Sequence, residues 1–276
     1  KITYMKKTIA VILLPFIILG IISLNSCKGK KEREIKKVEL EQKESIEGQI
    51  ESNVYPLPTS AEVIQMLTQL EVGYIFGITN PVENSKKYFS STAKATNLGV
   101  YGGDLSYATL YNIQQEVINY LDAIRVLANE LNMSQIYDET LYDRIKLNFD
   151  NRDELVKILT EAFDKTYAYL SDNDQQTLAL LVVGGAWVEG MYLTTHVSEA
   201  AYQVAGISKN LLEQKKSFEL YLEVTKPYEN DPVIKDFLTK LEPIKTVYNT
   251  LGTSLTEQNI KDITKAIELV RAQIVG

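Results

Sequence analysis

TLALLVVGGAWVEGMYLTTHVSEAA, residues 177–201, is the stretch whose reading decides the fold. From Leu178 to Leu193 it carries one charged side chain, Glu189, among residues that are otherwise apolar or glycine. A helix apolar on every side belongs in the middle of a structure. The run is shorter than the roughly 20 residues a membrane span needs. It is therefore expected to be the central helix, about residues 174–204, of an all-α bundle.

Helix signals recur on both sides of it. Thr59-Ser60-Ala61-Glu62 is a capping box ahead of Val63, Met66, Leu67 and Leu70. Asn80-Pro81-Val82-Glu83 places a cap, a first-turn proline and an acid in order. Asn97-Leu98-Gly99 is expected to break that helix, with a long one following over residues 100–131. Turns are expected at residues 132–134 and 171–174, with a short helix over 135–148 and another from Asn151. Later starts fall at Ser208, at Asp231-Pro232, and at Ser254-Leu255-Thr256-Glu257, and Pro243 is expected to kink the second of these. Strand-like alternation is nowhere sustained, which gives about nine helices and no sheet. Gly102-Gly103-Asp104 with Tyr107 and Tyr111 is echoed by Gly184-Gly185 with Glu189, Tyr192 and His196. The echo suggests a pseudo-two-fold pair of half-domains.

The N-terminus reads differently. Met5-Lys6-Lys7, an apolar run over residues 9–24 and Leu24-Asn25-Ser26-Cys27 have the order of a secretory signal. Cys27 is the chain's single cysteine, and the junction resembles the lipobox of bacterial lipoproteins, in which that thiol is acylated. Acyl chains contribute about 0.8 kcal/mol per buried CH₂, so several of them anchor a chain lastingly. Residues 1–26 are then the signal peptide, residues 27–58 a Lys- and Glu-rich tether, and residues 59–276 the helical domain. Loss of Lys1, Lys6 and Lys7 leaves 26 basic against 36 acidic residues, a net charge of −10. That sign repels phosphate backbones, and no nucleic acid is expected as a partner.

Three stretches carry a family resemblance: NLGVYGGDLSYATLYN (residues 97–112), NFDNR (148–152) and GGAWVEGMYL (184–193). Together they resemble uncharacterised all-helical lipoproteins of Bacteroidota. The resemblance implies an envelope protein anchored through Cys27, and it carries no activity. Surface-exported lipoproteins of that phylum tend to have acids after the cysteine. Lys28-Gly29-Lys30-Lys31 stands there instead, which implies an outer-membrane anchor facing the periplasm.

The chemistry-bearing residues gather on two stretches. Glu189, Tyr192, His196 and Glu199 share one helix face, and Asp104, Tyr107 and Tyr111 make a parallel set. If the two helices pack together, these residues and Trp187 form a candidate ligand pocket with two carboxylates in it. A buried acid beside another has its pKa raised and can do acid–base work or bind a cation. The same residues can equally be a hydrogen-bonded network that sets helix register. His196-x-x-Glu199 has metal-ligand spacing and is distantly similar to an element of imelysin-like periplasmic proteins. With one histidine in the chain, a di-iron carboxylate bundle is excluded. No nucleophile elbow, P-loop, dinucleotide fingerprint or Cys-x-x-Cys is present, and no catalytic residue, metal or cofactor is assigned. The leading expectation is a lipid-anchored binding or scaffold protein, with a small ligand or an envelope protein as partner. A carboxylate-dependent hydrolase or lyase using Asp104 and Glu189, and a structural subunit of an envelope complex, are the alternatives.

Overall fold

The computed structural model describes residues 74–196 and 206–276. The signal peptide, Cys27, the tether, the helix expected after Thr59 and Glu199 all lie outside the described residues. Among the described residues the chain is all-α, as its pattern demands, with no strand. A short 3-10 segment, Val82–Lys87, leads into α1 (Ser91–Leu110), α2 (Gln114–Glu130), α3 (Glu139–Leu147) and α4 (Arg152–Asp172). Then come α5 (Gln176–His196), α6 (Ile207–Thr225), α7 (Pro232–Thr250) and α8 (Glu257–Val275).

Helix α5 is the central one. Its 21 residues are long and apolar enough to cross a bilayer, so length does not exclude a span, contrary to the expectation from sequence. Burial decides the matter, because 78% of its apolar window lies inside the bundle. On one side, Trp187 stacks on Phe218 of α6, and the Tyr221 hydroxyl donates to the Leu180 carbonyl at 2.9 Å. On the other side lies α1.

The α1–α5 contact is made backbone to backbone. A β-carbon added at Gly99 would sit 2.0 Å from the Val182 carbonyl oxygen, and one added at Gly185 would sit 2.0 Å from the Thr96 carbonyl oxygen. These are one contact with the partners exchanged, since Gly185 follows Gly99, and Val182 follows Thr96, by the same 86 positions. Further along, Gly103 faces Glu189. Contacts therefore advance together along both helices, and the pair runs parallel around a local pseudo-two-fold axis. The echo expected from the sequence does not carry over to this contact: Gly185 corresponds to Gly99, not to Gly103, and Asp104 and Glu189 are not equivalent positions. Tyr101 and Trp187 then occupy equivalent, buried positions.

That contact also explains the missed helix break. Asn97-Leu98-Gly99 lies inside α1, where close packing outweighs the roughly 1 kcal/mol a mid-helix glycine costs. The chain stops instead at Asn112, which takes a left-handed φ of 53°. There Ile113 N–H donates to the Ala108 carbonyl and Asn112 N–H to that of Thr109, the paired bonds of a Schellman motif. Asn132 and Asp174 close α2 and α4 in the same way, with φ of 62° and 58°. Other starts fall as expected, with Asn151 and Asp231 capping α4 and α7, and α7 continuing through Pro243. For α8 the cap shifts: Thr256 pairs reciprocally with Asn259, in place of the expected Ser254 and Glu257.

Replacing Gly185 by alanine is expected to cost about 3 kcal/mol or more, the upper range for overpacking, because its neighbour is backbone. Gly252→Ala, in open space, is the control and should move the urea midpoint little. Equal midpoints for the two variants would refute the close α1–α5 contact.

Candidate functional site

The parallel pair brings its two acids together. Asp104 comes from α1 and Glu189 from α5; both are fully buried, and Gly103 clears space for the Glu189 side chain. A third element completes the cluster. Arg271 of α8 binds Glu189 with both ends of its fork, Nε to Oε2 at 2.6 Å and Nη2 to Oε1 at 2.8 Å. Two carboxyl groups thus face one guanidinium in a medium where an uncompensated charge is costly. Asp104 lies beside Glu189, and its Oδ1 has no hydrogen-bond partner among the described residues. A proton on Asp104 would leave one carboxylate facing one guanidinium. Burial first, and then the charge of Glu189, push the Asp104 carboxyl well above its ordinary value. Burial works against the Arg271 guanidinium, yet the hydrogen bonds and charge of Glu189 hold its pKa above the ordinary value.

The surroundings seal the cluster. The Asn80 N–H donates to Asp104 Oδ2 at 3.2 Å, and Asn80 Nδ2 donates to the Tyr88 hydroxyl at 3.0 Å. Tyr101 donates to the Pro81 carbonyl at 2.8 Å, and Tyr120 hydrogen-bonds Thr79. The segment ahead of the 3-10 turn is thereby held over Asp104. Burial raises the phenol pKa values of Tyr88, Tyr101 and Tyr120, so these groups stay neutral. Towards the surface, the Arg271 guanidinium lies 3.9 Å over the Tyr192 ring, which stacks on His196 at 4.0 Å. His196 Nε2 meets Glu268 of α8 at 2.8 Å, and Nδ1 meets the Tyr192 carbonyl at 2.8 Å.

The expected pocket divides into three. Asp104, Glu189, Tyr192 and His196 form a continuous polar file running from core to rim. Tyr107 and Tyr111 belong to a satellite aromatic cluster with Tyr74 and Leu193, where the Ile75 N–H donates to the Tyr107 hydroxyl at 3.1 Å. Trp187 faces the opposite side of α5 and donates to Gln214 at 3.0 Å, so it is no part of the site. The clefts lined by Gln135 and Tyr169, by Ser208 and Leu255, and by Asn97 and Phe237 include neither Asp104 nor Glu189. No group of three or more metal-ligating side chains is present among the described residues. Arg271, Asn80 and Glu268 were not anticipated. Arg271 had left a sign, because it falls on the apolar stripe Ile260, Ile263, Ile267, Ile274 of α8, where a cation needs a buried partner. No family model matches the chain, and no curated protein or solved structure matches it either.

The arrangement fastens α8 to the α1–α5 pair. Removing one partner of a buried ion pair costs about 3–5 kcal/mol, so Glu189→Gln is expected to be severely destabilising. Asp104→Asn keeps a donor towards Glu189 and an acceptor for Asn80, and should be tolerated. Because the folded state raises the Asp104 pKa, its contribution to stability is complete below about pH 3.9, the unfolded value. It is then lost as pH rises through the folded value, at up to about 1.4 kcal/mol per unit. Thermal unfolding from pH 5 to 9 should show a decline for the natural chain that Asp104→Asn flattens. Parallel profiles would remove Asp104 as the proton holder.

Proposed function

We propose that this chain is a lipid-anchored helical binding or scaffold protein of the cell envelope, held at the outer membrane and facing the periplasm. The observation that carries the reading is the engagement of Glu189 by Arg271 through two hydrogen bonds of 2.6 and 2.8 Å inside a closed core. A general base or nucleophile must reach a substrate. Here both carboxylate oxygens are taken by α8, and Asp104 is covered by Asn80. The acids thus brace the bundle, and the work of the protein falls to its surface. This counts against a hydrolase or lyase built on Asp104 and Glu189.

Support for the address comes from the residues ahead of the bundle: the basic start, the apolar run and Cys27 at the junction. Support for the partner class comes from the charge balance, 29 basic against 36 acidic residues, which disfavours nucleic acid. The resemblance to helical lipoproteins of Bacteroidota points the same way. A structural place in an envelope complex would use the same anchor and the same inert core.

Expression in a bacterial host that processes lipoproteins tests the reading. Mass spectrometry should find a mature chain beginning at acylated Cys27, recovered with membranes. Cys27→Ala should leave the far-ultraviolet helix signal unchanged and move the protein to the soluble fraction. An unmodified Cys27 in membrane-free material would overturn the anchor, and hydrolytic turnover abolished by Asp104→Asn would overturn the non-catalytic reading.

A further inference from the structure

Phe89 is 86% exposed, more than any other large apolar side chain among the described residues. Its backbone keeps it there. Tyr88 and Ser90, on either side, are both extended, with ψ of 106° and 150°, so successive side chains point to opposite sides. Tyr88 points inward, where its hydroxyl accepts from Asn80 Nδ2 at 3.0 Å and donates to the Val275 carbonyl at 3.2 Å. Ser90 caps α1 by accepting from the Ala93 amide at 3.1 Å. Turning Phe89 towards the core would break one of these anchorages. Its neighbours on the surface offer no cover either. An apolar residue just ahead of a helix cap ordinarily packs on the fourth residue of the helix. Lys94 stands there, with its ammonium paired to Glu130 of α2. Phe89 packs against neither apolar cluster of the bundle.

The charge around it is basic. Lys86 and Lys87 end the 3-10 turn Val82–Lys87, both exposed, and neither has an ion-pair partner among the described residues. The N-terminus of α1 beside them adds partial positive charge. Glu83 is the one acid on the turn. The turn therefore carries a net charge of +1, two lysines against one glutamate, in a chain of net −7. Leu147 makes the contrast. It is 84% exposed, yet exposed Asp143 and Asp150 accompany Lys146 around it. A lone apolar side chain on a surface is ordinary. One fixed outward beside two unpaired lysines has the composition of a contact with a membrane interface.

We propose that Lys86, Lys87 and Phe89 form a docking point for an anionic lipid surface. The Phe89 ring enters the boundary between headgroups and acyl chains, and the two ammonium groups meet lipid phosphates. A stable protein partner would need about 800 Å² of continuous contact on this side. The other exposed apolar side chains are not gathered here: Phe76 lies against Tyr74 towards the other end of α1, and Leu147 and Leu269 belong to α3 and α8. A bilayer needs only a ring with cations beside it. The proposal deepens the envelope reading, on which it rests for the presence of a bilayer. Residues 28–73, 46 in all, at up to about 3.5 Å each, are long enough to let this face reach it.

Tryptophan fluorescence on vesicles tests it, in the full-length Cys27→Ala chain so that no acyl group contributes. Trp187, the chain's one tryptophan, is buried and serves as a constant background. Phe89→Trp should be blue-shifted and quenched by vesicles of brominated phosphatidylcholine containing phosphatidylglycerol. Leu147→Trp, at an equally exposed place, should not respond. Adding Lys86→Gln and Lys87→Gln to Phe89→Trp should raise the lipid concentration for half the signal about tenfold or more. The absence of a lipid-dependent signal at Phe89→Trp, or an equal signal at Leu147→Trp, would overturn the proposal. So would a blue shift that grows with protein concentration in the absence of lipid, which would mark a contact between copies. Failure here leaves acylation of Cys27 standing, and an unmodified Cys27 leaves this result standing.

Discussion

The bundle depends on α1 and α5 touching through their backbones. Gly99 and Gly185 have no β-carbon, and each admits a carbonyl of the partner helix into the space one would fill. Two helices this close cannot interpose side chains, so whatever flanks the glycines is pressed together. Asp104 and Glu189 are what flank them. The parallel direction of the pair has its own consequence: the chain must return through α2, α3 and α4 before α5 can begin. Those helices close one side of the core, and α6 and α7 close the other.

Bringing two acids into a buried space sets a problem in electrostatics, and the structure answers it twice. Burial and the charge of Glu189 favour the neutral form of Asp104, and Arg271 neutralises Glu189. Such an arrangement adds little net stability compared with a wholly apolar core, because desolvation offsets most of the attraction. What it supplies is selectivity. Only one sliding position of α8 brings Arg271 to Glu189 and Glu268 to His196 at once. The same helix has its C-terminal carbonyls tied by Asn97 and Tyr88. The C-terminal half of the final helix is thus held by groups from α1, α5 and the segment before α1.

Polar chemistry within the described residues therefore separates into an inner part and an outer part. The inner part is paired chiefly with its own members, Arg271 with Glu189 and Asn80 with Asp104, and shielded by neutral tyrosines. The outer part lies at the surface, where ion pairs such as Asp236 with Lys240 are exposed to solvent.

Much of this was legible in the residue order. A run as apolar as residues 177–193 has no exposed face to offer, so its central place followed from composition. The all-α class and the Asn151 and Asp231 caps followed from local signals, and local signals act within a turn or two of helix. That Asp104 and Glu189 would meet was visible as a possibility, since each sits beside a glycine-rich step. Tertiary structure decided the rest, for one reason: contacts between residues far apart in sequence leave no local trace. Gly99 looked like a helix breaker because its partner, Val182, is 83 positions away. Arg271, though on an apolar stripe, could not be matched to its partner from sequence, because Glu189 is 82 positions earlier. Trp187 parted from Glu189, two residues on, because the side chains of a helix point in different directions, and only the neighbours say which direction is the core's and which the site's.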